Sequence, residues 1–257
     1  MPRRPAIRTS TDEWRTIAAT AESDDLLYHI CSRPDKRGSW TEHDFYASGR
    51  EDWADFLRHW QHYEPDVGGR CVEIGCGAGR MTAALAQFFT SVAAVDVSDV
   101  MIERARAHTP DTVTFGRVDG SELPLPDASA DAVFTVHVLQ HLDSEAAIRQ
   151  YVNEAFRVLR PGGTIMVHIR FVADPPSWRA RLRAQIDLAR SRRALARRGE
   201  AGAVRMTMPS VGASWRMLTV AGFRDVELRA FPVQSNGFVH TFYFARRPLA
   251  DPAKEMR

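Results

Sequence analysis

At 257 residues, with 44% hydrophobic residues and a net charge of +2, the chain is long enough to bury a full core and too evenly charged for general attraction to nucleic acid. No apolar run approaches the ~20 residues that span a membrane. The basic start Met1-Pro2-Arg3-Arg4-Pro5 leads into no apolar signal core, so a cytoplasmic protein is expected. Three cysteines (Cys31, Cys71, Cys76) are odd in number and make no metal-type pair, which fits a reducing compartment and calls for no metal.

Residues 1 to about 25 are polar and read as a loosely held tail. Further on, Trp53, Phe56, Leu57 and Trp60 fall at i, i+3, i+4 and i+7, one face of a helix. Residues 1–60 therefore read as a tail and helical cap, and 61–250 as the main domain.

The domain opens on Val72-Glu73-Ile74-Gly75-Cys76-Gly77-Ala78-Gly79-Arg80, an apolar strand, an acidic residue and three glycines at alternate positions. A helical pattern (Met81 to Phe89) follows. Glycine serves where the chain turns with positive φ or where a ligand lies against bare backbone. The turn leaves free N–H groups of a helix start facing whatever is bound. Such a loop can also be purely structural. The dinucleotide spacing G-x-G-x-x-G is not met, because the third glycine comes one residue early. Cys76 reads as a small filler in the loop.

Ser91 to Val95 forms a second apolar run ending at Asp96, 17 positions beyond Gly79. A carboxylate there can accept both hydroxyls of a ribose. Ser98 caps a helix through Ala107. Val113-Thr114-Phe115 is a third strand, leading to Val118-Asp119-Gly120. Ala132 to Val136 is a fourth, followed by His137-Val138-Leu139-Gln140-His141. Val158 to Thr164, with Pro161-Gly162-Gly163, reads as a turn into a fifth strand.

Residues 173–210 read as a helical insertion; Trp178 to Arg198 holds eight arginines against Asp187 alone. It is either a solvated amphipathic helix over the core or a contact surface for an anionic acceptor or RNA. Ser210 to Ala221, closed by Gly222, is the last helix. Val226 to Phe231 and Phe238 to Ala245 form a hairpin across Gln234-Ser235-Asn236-Gly237.

In order and spacing, the motifs over about residues 67–171 resemble those of class I S-adenosylmethionine-dependent methyltransferases, of the type 11/25 domain. The resemblance implies an α/β, Rossmann-like, seven-stranded mixed sheet of order 3-2-1-4-5-7-6, with the last strand antiparallel and helices on both faces. It implies S-adenosyl-L-methionine as cofactor and methyl transfer to oxygen, nitrogen or carbon of a small molecule by in-line displacement. It places Glu73, Gly75, Cys76, Gly77, Gly79 and Arg80 at the methionine end, Asp96 and Val97 at the ribose, and Asp119 and Gly120 at adenine. Backbone near Thr135 and Val136 completes the methionine site, and Tyr46 and Arg50 of the cap close over cofactor or acceptor. If a base is needed, His137 comes first and His141 next. The expected partner is a small-molecule acceptor, not nucleic acid or membrane, and homodimerisation stays open. The competing readings are an RNA or protein methyltransferase using the arginine-rich insertion and, more remotely, a non-catalytic binding protein or an NAD-dependent oxidoreductase.

Overall fold

The structure, a computed structural model, describes residues 9–20, 27, 40–66, 68–120, 122–171, 206–234 and 238–249. Helices are α1 (Ser10–Thr20), α2 (Glu42–Trp60), α3 (Arg80–Leu85), α4 (Asp99–Arg106), α5 (Glu145–Val158) and α6 (Val211–Ala221). Strands are β1 (Arg70–Ile74), β2 (Ser91–Asp96), β3 (Val113–Arg117), β4 (Ala130–Thr135), β5 (Leu159–His168), β6 (Arg224–Pro232) and β7 (Val239–Arg246). They form one sheet of order β3-β2-β1-β4-β5-β7-β6, as the motifs imply. The first five strands run parallel, while β7 is antiparallel to both β5 and β6. Among the described residues no helix is long and apolar enough to cross a membrane.

Alternate strand residues face opposite layers, since a strand has period two. Val72, Ile74, Val95, Val133 and Val167 meet Ile148 and Val152 of α5 and Leu218 of α6. Cys71, Val92, Ala94, Phe134 and Phe242 meet Trp53, Phe56 and Trp60 of α2 and Met81 and Leu85 of α3. Sheet and cap helix thus share one core layer across the 60/61 boundary drawn from sequence.

Helix starts follow capping chemistry. Thr41, Ser98, Ser144 and Ser210 accept from Asp44 N, Met101 N, Ala147 N and Ala213 N. Gly222, at φ 111°, ends α6 in the left-handed conformation.

Four sequence expectations are corrected. Part of the supposedly loose tail is α1, an ordered helix. Thr9 and Asp12 cap it reciprocally (Asp12 N to Thr9 Oγ1 and Thr9 N to Asp12 Oδ2, both 3.1 Å). The cap helix α2 lies not across a pocket but against the sheet: its aromatic face needs burial, and Trp53, Phe56 and Trp60 pack around Phe134. The helix after the glycine loop stops at Leu85 rather than Phe89. Pro161-Gly162-Gly163 is no separate turn but an irregular start of β5, with a register shift opposite Ala130 and Ala132. The arginine-rich stretch and the Ser235–Gly237 tip lie outside the described residues.

Candidate active site

A cavity of about 240 Å³ opens at the carboxyl edge of β1, β2 and β4, where open α/β sheets bind ligands. Its lining includes Glu73, Gly75, Cys76, Gly77, Arg80, Asp96, Val97, Gly120, Val136, His137 and His141. Eleven residues expected from sequence therefore meet at one cleft.

The glycine loop is held in place from below. Gly75 N and Cys76 N both donate to Val95 O, at 2.8 and 3.0 Å. Gly75 sits at φ 77°, and a Cβ there would lie 2.2 Å from Val138 Cγ2. A side chain is thus excluded by both conformation and space. Gly79 caps α3 from behind and does not line the cavity.

Asp96 accepts from Gly77 N at 2.9 Å on Oδ2 and from Ser98 N at 3.0 Å on Oδ1. Each oxygen keeps a second acceptor position for a ligand hydroxyl. Protein encloses the group except on the cavity side; this burial raises its pKa against the lowering effect of the backbone donors. Glu73 accepts from Thr82 Oγ1 at 2.5 Å, and burial, more than the nearby Asp96, pushes its pKa up to about 7. Arg80 is pinned from outside by Asp52 of α2, at 2.6 Å with both side chains buried. Gly49 allows the close approach, since a Cβ there would lie 2.4 Å from Arg80 O.

The remaining expected residues lie elsewhere. Asp119 is on the surface, 58% exposed and paired with Arg15 and Arg117, so its carboxylate is turned from the cavity that Gly120 lines. Both guanidiniums draw it outward and hold its pKa down. Thr135 is buried behind the wall, with Oγ1 unpartnered among the described residues. Tyr46 donates to Ala78 O at 2.7 Å and stacks on His108, bracing the loop from its far side. Arg50 is exposed on α2 and takes no part in the cavity.

Sequence reasoning missed the opposite wall. Ser10, Thr11 and Trp14 of α1 line the cavity, with Asp143, Gln150 and Tyr151. Ser10 N donates to both oxygens of Asp143 at 3.1 Å, Arg15 Nε to Val97 O at 2.8 Å, and Trp14 meets His141 edge-on at 5.3 Å. The signal that could have found this wall is Thr9-x-x-Asp12 before Trp14 and Ile17, a helix-start pattern.

His137 has φ 60°. Its ring lines the cavity, yet its Nε2 is buried and unpartnered among the described residues. His168 and His240 stand beside it, and burial pushes all three imidazoles down, His240 to about 4.

The glycine loop and the carboxylates Glu73 and Asp96 thus meet in one cleft at the edge of a sheet of order β3-β2-β1-β4-β5-β7-β6. Residues 72–167 match the family model described as a methyltransferase domain. The chain is 39% identical over 116 residues to a probable S-adenosylmethionine-dependent methyltransferase of Mycolicibacterium smegmatis, covering 44% of each chain. It is 36% identical over 105 residues to 27-O-demethylrifamycin SV methyltransferase of Amycolatopsis mediterranei, covering 38% of each. Among solved structures, magnesium protoporphyrin IX methyltransferase from Synechocystis with bound SAH superposes with a TM-score of 0.59 at 16% identity, covering 91% of this chain and 97% of that one. Over residues 72–167 the chain is thus similar to a methyltransferase domain, on a fold shared with solved methyltransferases. The matched stretch spans under half the length of these two curated relatives.

Proposed function

We propose that the protein is an S-adenosylmethionine-dependent methyltransferase acting on a small-molecule acceptor. One observation carries this reading: Glu73, Asp96 and the bare backbone of Gly75 to Gly77 converge on one cavity at the ends of adjacent strands. Asp96 takes the ribose hydroxyls on oxygens already oriented by two backbone donors. Glu73 faces the cationic methionine end. The sulfonium is itself a strong methyl donor, so the protein's work is to align the acceptor behind the methyl carbon and exclude water. Positioning of this kind supplies roughly 7–11 kcal/mol in favourable model reactions.

Where an acceptor proton must leave, two histidines line the cavity: His137 turns its Nε2 into the protein, and His141 holds its Nε2 3.0 Å from Gln140 Nε2. The described end of the insertion supports an acceptor side near His141. Thr207 N donates to Gln140 O at 2.7 Å and Thr207 Oγ1 to Leu142 O at 2.5 Å. The small-molecule class is supported by the name of the rifamycin relative.

Calorimetry with adenosylmethionine tests the reading. Asp96→Ala is expected to lose on the order of 100-fold in affinity, the worth of two hydrogen bonds to a charged acceptor. Tight nicotinamide dinucleotide binding without adenosylmethionine binding would replace the assignment. Radiolabelled methyl transfer into a cell extract then sorts the product by size; label in RNA or protein would favour the arginine-rich stretch as a macromolecular contact.

A further inference from the structure

Three histidines meet at the same sheet edge, and methyl transfer makes no use of their shared geometry. His137 follows β4, His168 ends β5, and His240 lies near the start of β7. Their ring centroids stand 4.7, 4.7 and 5.0 Å apart, with planes inclined by 69 to 76°. One nitrogen of each lies within 4.8 Å of the others. His168 and His240 are buried, and the unpartnered Nε2 of His137 is buried with them. A buried polar atom without a partner is rare in a native interior and asks for an explanation.

We propose that His137, His168 and His240 form a three-imidazole site for a divalent transition ion of the zinc, cobalt(II) or iron(II) class. Sequence gave no reason to expect a metal, because the spacings 137, 168 and 240 match no ligand motif. Metal–imidazole bonds are ~2.0–2.1 Å, so the widest edge of the triangle must contract by about an ångström. The edge from His168 Nε2 to His240 Nδ1 is already 3.1 Å.

A proton occupies that edge in the metal-free protein. His137 N donates to His168 Nδ1 at 3.2 Å, which places the His168 proton on Nε2, facing His240 Nδ1. On binding, the ion takes that position. The proton moves to Nδ1, the long contact from His137 N opens, and no proton is released overall. A neutral hydrogen bond contributes far less net stability than metal coordination, so the exchange favours the ion. Three neutral nitrogen donors select imidazole-seeking ions over magnesium or calcium. They also leave the ion's charge to be balanced by an anionic oxygen such as a carboxylate or deprotonated hydroxyl.

The test uses the full chain, free of any affinity tag and stripped with chelator, titrated with Zn²⁺ by calorimetry and with Co²⁺ by visible absorption. One equivalent per chain is expected, with the d–d bands of a low-coordinate ion. His168→Asn and His240→Asn should each lose more than the ~10–100-fold that loss of an outer-shell partner costs. His43→Asn, at an exposed histidine, should change nothing. Circular dichroism reports folding; should His168→Asn not fold, His240→Asn decides. No saturable Co²⁺ binding by the wild type, or unchanged binding by His240→Asn, overturns the site. Adenosylmethionine is titrated separately on the same samples. Metal binding without adenosylmethionine binding then sinks only the methyl-transfer reading, and the reverse sinks only this one.

Discussion

The carboxyl edge of the sheet has two unlike halves. At β1 and β2 the polar groups are already paired: Glu73 with Thr82, and Asp96 with the Gly77 and Ser98 amides. At β4, β5 and β7 the wall holds a left-handed His137, an unpartnered Thr135 hydroxyl and an unpartnered imidazole nitrogen among its described residues. The first half is organised before any ligand arrives, which is what a fixed cofactor needs. The second keeps unspent hydrogen-bonding capacity, which suits a ligand that completes it.

The largest effect is expected where the first half is braced from outside. Asp52→Ala leaves Arg80 in a buried site without its carboxylate. Breaking one side of a buried pair costs about 3–5 kcal/mol, read as a drop in the denaturant midpoint. Asp52→Leu with Arg80→Met should recover most of it; equal loss in both variants would show that the pair does not hold the loop.

Gly75→Ala strikes where the halves touch. The new methyl would meet Val138 at 2.2 Å on a φ of 77°. Overpacking costs about 1–3 kcal/mol and left-handed backbone roughly 1–2 more. Val138→Ala should restore only the packing share. Full rescue would mean the backbone conformation is not needed.

These halves differ in how far sequence discloses them. Glycine spacing, Glu73 and Asp96 are legible because one βαβ unit contains them all, so local order fixes their meeting. Trp53, Phe56 and Trp60 announced a buried helix face, but not which surface buries it. The imidazole triangle needs the β5–β7 register that sets His168 opposite Phe242. Likewise α1 reaches the cavity through Ser10 and Asp143, 133 positions apart. No local pattern encodes either meeting.

A smaller effect comes from pH on the first half. With its pKa at about 7, Glu73 is partly protonated in the empty cleft near neutrality. In the free protein this raised value favours folding below about 4.5, the ordinary glutamate range, and that contribution is lost as pH rises through 7. A cationic ligand reverses the preference. Adenosylmethionine affinity should weaken as pH falls below 7, by at most about tenfold per unit. The shift in melting temperature on adding ligand should grow as pH rises. In Glu73→Gln the affinity should be flat over the same range; a slope surviving there would move the effect to Asp96.

The smallest effect separates two aspartates that look alike in sequence, since Asp96 ends β2 and Asp119 lies just past the end of β3 in the same parallel half. Asp96 is held by amides inside the cleft; Asp119 is held by Arg15 and Arg117 outside it. The difference arises past β3, where Val118 and Gly120 face the cavity and Asp119 between them turns away. Exposed ion pairs contribute little, so Asp119→Asn should change adenosylmethionine affinity by less than about fivefold. What change there is should shrink with added salt, because it acts through the Arg15 tether of α1. A salt-independent loss matching that of Asp96→Ala would instead mean that α1 swings away on binding and Asp119 turns inward to meet the adenine.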